Sequence, residues 1–180
     1  MSRALVFPGQ GSQKVGMGKE LAEVFATARE VFEEVDDALS QSLSRLMFEG
    51  PEEELRLTEN AQPALMAVSL AVVRTLAAEG YNVERLASHV AGHSLGEYSA
   101  LCAAGAFSLA DTARLLKRRG LAMQRAVPVG EGAMAAILGL DIEAVEEIAH
   151  EAAGGDAVCA AANDNAPGQV VVSGHAAAVE

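Results

Sequence analysis

The chain has 180 residues and a formal net charge of −12, and 51% of its residues are hydrophobic. This length and apolar share are typical of a globular protein with a sizeable core, and they exclude a disordered chain. The acidic balance argues against nucleic acid as a partner, because phosphate binding needs a concentrated basic face. Cys102 and Cys159 lie far apart and form no metal-ligand spacing, so we expect neither a disulfide nor a metal site.

The apolar runs and the N-terminus bear on the cellular location of the chain. We expect that no apolar run reaches the length needed to span a membrane, and residues 1–7 are too short for a signal peptide. We therefore expect no membrane partner and a cytoplasmic protein.

The first predicted element is a strand at residues 4–7, which Pro8 and Gly9 end and which we expect to be buried in a parallel sheet. The loop at 9–18 is rich in glycine but lacks the phosphate-binding patterns. We interpret it as a loop that brings Gln10 over an active site, with a polar turn residue as the alternative.

Helical spacing then predicts one helix over about 20–39 and a short helix over 42–48. A long helix follows, with Pro63 in its first turn, where the missing N–H of proline costs nothing. It stops before Gly80. Gln62 lies at the start of this helix, and a capping role is open to it.

Residues 90–97 predict the end of a strand, a sharp turn and the start of a helix, with Ser94 at the apex. The pattern is G-x-S-x-G, in which Gly92 and Gly96 let the strand and the helix approach closely. The turn places the hydroxyl at a helix N-terminus, where free N–H groups and the helix dipole stabilise an oxyanion. The pattern favours a catalytic serine, with a structural turn as the alternative.

The next helix, which Ser108 is predicted to cap, carries an apolar stripe at the helical period. The stripe consists of Leu109, Ala113, Leu116, Gly120 and Met123. Arg118 points away from it, whereas Lys117 and Arg119 flank it on opposite sides. The spacing therefore excludes Arg118 from a cleft beside the stripe without choosing between Lys117 and Arg119.

A linker at 127–132 separates a βαβ-like region from the rest of the chain. We predict a strand at 133–138, a helix capped by Asp141 that runs to about Ala153, and a strand at 158–162. A turn at 163–168 and a strand at 169–173 complete this region.

Separated segments of the chain resemble malonyl-CoA:acyl carrier protein transacylases, in the order found in that family. They are residues 7–13, 60–65, 92–101, 119–120 with 123–124, and 165–170. The resemblance implies an α/β fold, with a parallel sheet and a hydrolase-like serine elbow in an incomplete core at 1–127. Residues 128–180 would begin a ferredoxin-like α+β subdomain, which would also be incomplete.

The same resemblance implies transfer of a malonyl group from coenzyme A to acyl carrier protein in fatty acid biosynthesis, through an acyl-serine intermediate. Malonyl-CoA is then a substrate, and no cofactor is needed. Ser94 would be the nucleophile, Gln10 and the Leu95 backbone N–H would hold the oxyanion, and Arg119 would bind the malonyl carboxylate. Gln62, His93 and Asn165 are further substrate-binding candidates by resemblance.

The general base is the part of this chemistry for which the sequence shows no candidate. The family's catalytic histidine lies in a phenylalanine–histidine motif, and no phenylalanine follows Phe107. Nothing in the sequence around the four histidines, at 89, 93, 150 and 175, indicates a base. A serine without one is a weak nucleophile, so we expect the 180 residues alone to be inactive. The chain would then be the N-terminal portion of such an enzyme, completed either in cis or by a complementary C-terminal chain.

Two rival functions and one docking hypothesis also follow. A serine esterase shares the G-x-S-x-G pattern, but Arg119 would have no role in it. A non-catalytic or complementation-dependent fragment is the rival from another class. If the resemblance holds, the basic residues at 114, 117, 118 and 125 form a patch that receives an acidic carrier protein.

Overall fold

The computed structural model describes residues 2–128 and 130–180, which fall into two compact units divided in sequence between Met123 and Gln124. The elements that begin in the first unit are β1 (Ala4–Phe7), α1 (Lys19–Val24), α2 (Ala26–Leu39), α3 (Leu43–Glu49), α4 (Glu52–Arg56), α5 (Thr58–Ala78), α6 (Val83–Leu86), β2 (His89–Gly92), α7 (Leu95–Ala103) and α8 (Leu109–Ala126). The second unit contains β3 (Gly132–Leu138), α9 (Ile142–Ala152), β4 (Cys159–Ala166), β5 (Gln169–His175) and α10 (Ala176–Val179).

In the first unit, β1 and β2 form a parallel pair, with Phe7 opposite Gly92, as the sequence predicts. Helix α7 packs against both strands. The prediction of a buried strand holds at Phe7 but is wrong at Val6, which is 74% exposed. Successive side chains of a strand point to opposite faces, and the face that bears Val6 is not covered within the described part of this unit.

The core of the first unit is helical and is centred on α5. Fully buried side chains from α2, α3, α5 and α8 form it, among them Phe32, Leu43, Met66 and Leu116. The prediction of one helix over 20–39 is wrong, because the extended backbone of Phe25 (φ −115°, ψ 118°) separates α1 from α2. Side-chain spacing is continuous across this break, so spacing alone does not reveal it.

Helix α5 differs from its prediction at its start. It begins at Thr58, so Pro63 lies inside the helix and not in its first turn. A proline there leaves the carbonyl four residues earlier, that of Glu59, without its helical donor. Gln62 is fully buried within the helix, so the capping role is excluded.

The length and composition of α5 are also those of a helix that could cross a membrane, so the expectation that no apolar run reaches that length is wrong. In the structure, 56% of its most apolar window is buried. Buried core helices of soluble proteins have the same length and composition, so these properties alone do not identify a membrane span.

Helix α8 begins as predicted, because the Asp111 backbone N–H donates to the Ser108 hydroxyl at 3.1 Å. The apolar stripe is buried at four of its positions, Leu109, Ala113, Leu116 and Gly120, while Met123 is 47% exposed. Gly120 allows α8 to lie directly on the first turn of α5. A Cβ there would lie 2.5 Å from the Glu59 Cα and 2.7 Å from the Thr58 carbonyl oxygen.

The second unit is an antiparallel sheet in the order β3-β5-β4, with a core that contains Val145, Val170 and Val172. Strands β3 and β4 therefore run parallel to each other on either side of β5, and α9 joins them. The βαβ-like prediction is confirmed in this split form, and Asp141 caps α9 by accepting from the Ala144 N–H at 2.9 Å. The predicted turn at 163–168 is too long, because β4 continues to Ala166.

We predict that Gly120→Ala lowers the free energy of unfolding by about 1–3 kcal/mol, because the added methyl group would overlap the backbone of α5. Urea denaturation of the two proteins measures the difference. Gly154→Ala is the matched control, since a Cβ at Gly154 meets no atom within 4 Å. The control is expected to stay within about 1 kcal/mol of the parent. Equal stability of the two variants would contradict the close approach of α8 to α5.

Candidate active site

Ser94 lies between the end of β2 and the start of α7, in a backbone conformation that few residues other than glycine adopt (φ 53°, ψ −112°). The turn can be tight because Gly92 and Gly96, two residues before and after Ser94, have no side chains. A Cβ on Gly92 would overlap the Gly96 carbonyl, and a Cβ on Gly96 would overlap the Phe7 carbonyl oxygen. The Ser94 side chain is exposed, at the N-terminus of α7, as the sequence predicts.

The backbone N–H groups that follow Ser94 differ in whether they donate a hydrogen bond within the protein. Gly96 N–H donates to the His93 carbonyl at 2.9 Å, and Glu97 N–H donates to the Ser94 carbonyl at 3.1 Å. None of the described residues accepts a hydrogen bond from Leu95 N–H. This donor, at the positive end of the α7 dipole, is free to hold an anion beside Ser94.

Arg119 connects α8 to the serine. Its Nη2 donates to the Ser94 Oγ at 2.9 Å, and its Nη1 donates to the Gln62 Oε1 at 2.6 Å. The guanidinium carbon also lies 5.9 Å from the centre of the Tyr98 ring, within the range of a cation–π contact. These contacts answer the question that the sequence left open, because Arg119 and not Lys117 reaches the serine.

Gln62 lies beneath Arg119 in the core of the first unit. Its Oε1 accepts from Arg119 and its Nε2 donates to the Met123 Sδ at 3.3 Å. Since arginine offers only donors, the amide must present its oxygen to the guanidinium. The amide orientation therefore fixes one side of the arginine fork.

Lys117 has a different partner set on the opposite flank of α8. Its Nζ donates to the Asn60 Oδ1 at 3.0 Å and to the Glu59 Oε1 at 3.3 Å. Lys117 and Arg114, two residues of the predicted carrier patch, are thus already paired with acidic residues, since Arg114 lies 3.2 Å from Asp111. Arg118 is exposed, as predicted, and has no ion-pair partner among residues 2–128 and 130–180.

The other site candidates from the sequence, Gln10, His93 and Asn165, form no side-chain hydrogen bond with Ser94. The Gln10 amide donates to the Thr58 hydroxyl at 3.5 Å, at the start of α5. The His93 ring lies against Gly9, where a Cβ would overlap the ring. Asn165 is an exposed residue of β4 in the second unit, beside a cavity of about 290 Å³.

The histidines show no base for the serine within the first unit. Neither His89 nor His93 forms a side-chain hydrogen bond with Ser94, and the His89 Nδ1 lies 3.0 Å from the Ser88 Oγ. In the second unit, the His175 Nδ1 accepts from the Val158 N–H at 2.8 Å. His150 is exposed on α9, as predicted.

Metal binding and cysteine chemistry are the two remaining possibilities for a site. The described residues contain no group of three or more histidine, cysteine or acidic side chains that could hold a metal ion. Burial raises the pKa of the Cys102 thiol, although a side-chain hydrogen bond with Thr112 and the charge of Arg74 oppose this. Burial therefore favours the protonated form of this cysteine, which is a poor nucleophile.

Thr58, Tyr98 and Met123 are contacts of the candidate site that were not predicted from the sequence. Tyr98 could have been found, because a residue four positions after Ser94 lies on the same side of α7. The contact of Met123 with Gln62 depends on how α5 and α8 pack, and that of Thr58 with Gln10 on where the loop after β1 lies, and the sequence carries no local signal for either.

The family model described as acyl transferase domain matches residues 4–180. The chain belongs to that family. It is similar to the malonyl CoA-acyl carrier protein transacylase of Bacillus subtilis (strain 168), with 50% identity over 98% of this chain and 55% of the relative. The chain thus spans about half the length of the curated relatives that it matches.

Solved structures agree with this assignment and with an α/β fold that has a parallel sheet. An acyl-carrier-protein-S-malonyltransferase from Bartonella henselae has a TM-score of 0.94 and 63% identity, covering 99% of this chain and 56% of that chain. A malonyl-transacylase in complex with its type II PKS acyl-carrier protein has a TM-score of 0.92 and 45% identity, covering 99% and 57%.

Proposed function

We propose that Ser94 is the nucleophile of an acyltransferase that moves a malonyl group from coenzyme A to the thiol of an acyl carrier protein, in fatty acid biosynthesis. The observation that carries the proposal is the contact of the Arg119 guanidinium with the Ser94 hydroxyl at 2.9 Å. It puts a bidentate carboxylate-binding group next to an exposed serine on a strained turn. The names of the relatives support the same substrate and partner.

In the proposed reaction, the Ser94 Oγ attacks the thioester carbonyl while a general base takes the hydroxyl proton. The Leu95 N–H and the Gln10 amide stabilise the oxyanion, and the carbon–sulfur bond then breaks. Coenzyme A leaves as a thiol after it receives the proton. The carrier thiol attacks the acyl ester in the second half, and Ser94 regains its proton. Gln62, His93 and Asn165 are proposed to contact the substrate. Malonyl-CoA is the proposed substrate, and the proposed reaction needs no cofactor.

We further propose a hydrolase-like serine elbow at the turn between β2 and α7, within an acyltransferase core at 1–127, and a ferredoxin-like arrangement of the elements in residues 128–180. The overlap that a Cβ on Gly92 or Gly96 would cause supports the elbow. The order β3-β5-β4, with α9 between β3 and β4, supports the subdomain, because it is a split βαβ arrangement.

The general base is proposed to lie outside residues 1–180, either in cis or on a complementary chain, and residues 1–180 alone are proposed not to sustain turnover. The contacts of His89 and His93 support this, because neither histidine forms a side-chain hydrogen bond with Ser94. We also propose a cytoplasmic location and an acidic carrier as the protein partner. The complex of a related malonyl-transacylase with its acyl-carrier protein supports such a partner.

Incubation with malonyl-CoA followed by mass spectrometry tests the proposed function. We expect the natural full-length protein to form a malonyl adduct that maps to Ser94 and to pass the group to a carrier thiol. The Ser94→Ala variant should form no adduct. Release of free malonate without transfer would indicate a serine esterase, and the absence of an adduct would indicate a non-catalytic protein. Steady transfer by residues 1–180 alone would contradict the proposed source of the base.

Replacing Arg119 with alanine tests the carboxylate assignment. We expect malonyl-CoA use to fall by about tenfold or more, since a charge-assisted hydrogen bond contributes about 1.5–3 kcal/mol. Acetyl-CoA lacks the carboxylate and should be affected far less. Initial rates with the two thioesters measure the effect, and Arg45→Ala is the control because Arg45 is exposed on α3. An equal loss with both thioesters would refute the assignment.

Arg118→Glu tests the docking surface that remains. Arg118 is exposed on α8 and forms no ion pair with any of the described residues. The substitution should slow association with an acidic carrier and reduce its dependence on salt, because steering by charge is weakened. Stopped-flow association at low and high salt measures both effects. Arg45→Glu makes the same charge change elsewhere, and an Arg118→Glu rate equal to the Arg45→Glu rate would exclude this surface.

A further inference from the structure

The N-terminal end of α5, from its first turn to Gln62, is the segment on which the parts of the candidate site converge. Gln10 contacts the Thr58 hydroxyl at 3.5 Å, and Arg119 contacts Gln62 at 2.6 Å. Gly120 lies on the backbone of Glu59. The position of this turn therefore affects both the proposed oxyanion loop and the arginine next to the serine.

This turn has lost part of its own hydrogen bonding. Pro63 has no N–H, so the Glu59 carbonyl lacks the donor that it would have in a regular helix. A turn with fewer helical hydrogen bonds depends more on its side-chain contacts. These contacts centre on Asn60, which is 5% exposed.

Asn60 is held from several directions at once. Its Nδ2 donates to the Glu54 carbonyl at 2.9 Å, and its Oδ1 accepts from the Gln41 Nε2 and from the Lys117 Nζ, each at 3.0 Å. Lys117 is the member of this network that lies on α8. It joins α5 to α8 one helical turn from the point where Gly120 lets the helices meet.

The pairing of Lys117 with Glu59 is partly shielded from solvent. The two side chains are 22% and 27% exposed, at a distance of 3.3 Å. The other ion pairs among the described residues involve side chains that are 39–77% exposed. Because salt screens a partly buried pair less, this one is the best suited to hold two helices in a fixed relation.

We propose that Lys117 is a positioning residue for the site. With Asn60 and Glu59 it fixes the first turn of α5 against α8, so that Gln62 holds the Arg119 guanidinium at Ser94. The inference rests on the proposed function, since its readout is the handling of a carboxylated acyl group. Loss of the amine leaves the Glu59 carboxylate without its partner and removes one donor from the Asn60 oxygen.

The test uses Lys117→Met in the natural full-length protein, with Lys19→Met as the matched control. Methionine keeps an unbranched apolar side chain and removes the charge, and Lys19 is an exposed residue of α1. We expect Lys117→Met to reduce kcat/KM for Ser94 acylation by malonyl-CoA about fivefold to tenfold, mainly through KM, because small displacements of positioning groups have large effects. Acetyl-CoA acylation should stay within about twofold of the parent. Lys117→Arg should recover most of the malonyl-CoA rate, because it keeps the charge and the donors.

A double substitution separates positioning from a general loss of structure. In the Arg119→Ala background, Lys117→Met should cause no further loss with malonyl-CoA, because residues that act through one another are not additive. Glu59→Gln, which removes only the charge of the partner, provides the same test if Lys117→Met does not fold. Equal losses with both thioesters, or an additive loss with Arg119→Ala, would overturn the inference. If the parent protein forms no Ser94 adduct, the proposed function itself fails. If the parent forms the adduct but Lys117→Met and Lys19→Met are acylated by malonyl-CoA at the same rate, only this inference fails.

Discussion

Helix α8 meets the first turn of α5 with no side chain between them, and the geometry of the candidate site depends on this contact. Gly120 provides the space, since its missing Cβ is what allows the backbone of Glu59 to approach. Arg119 is the preceding residue, so the same approach brings its guanidinium to Gln62 and to the serine. Any residue larger than glycine would separate the helices and withdraw the arginine, even though no atom of Gly120 takes part in the proposed chemistry.

The cations of α8 show how neighbouring residues of one type acquire different roles in an acidic protein. Lys117 and Arg119 are half-buried on opposite flanks and find partners on α5, whereas Arg118 lies between them in sequence and faces solvent. A step of about 100° per residue produces this division. The net charge of −12 therefore says little about the site, because its local field is set by one arginine and one lysine that the fold places among neutral and acidic partners.

Features with a local cause could be predicted from the sequence. The turn at Ser94 needs two glycines, and Ser108 and Asp141 cap helices through their own side chains, so a few adjacent residues define each. Features set by distant packing could not be predicted. The break at Phe25 interrupts continuous helical spacing, and β4 runs through residues that usually form turns because β5 pairs with them.

In the candidate site, too, features with a local cause could be predicted from the sequence, whereas those set by distant packing could not. Spacing placed Arg118 outside the site and left Lys117 and Arg119 equivalent, because both flank the apolar stripe equally well. The difference between them lies in α5, which offers Gln62 to one flank and Asn60 to the other. Resemblance to the family favoured Arg119, and the contacts of the structure agree with it. The role of Asn165 stays a prediction, since that residue lies in the second unit.

At Ser94, the backbone conformation lowers the stability of the fold, while the side chain is needed for the proposed reaction. A side chain held at φ 53° and ψ −112° costs about 1–3 kcal/mol relative to a relaxed backbone, and the surrounding packing must supply that energy. Glycine would relieve the strain but would remove the hydroxyl. Selection for a more stable protein and selection for the proposed reaction therefore act in opposite directions here, and a chain released from the reaction would be free to drift toward glycine at this position.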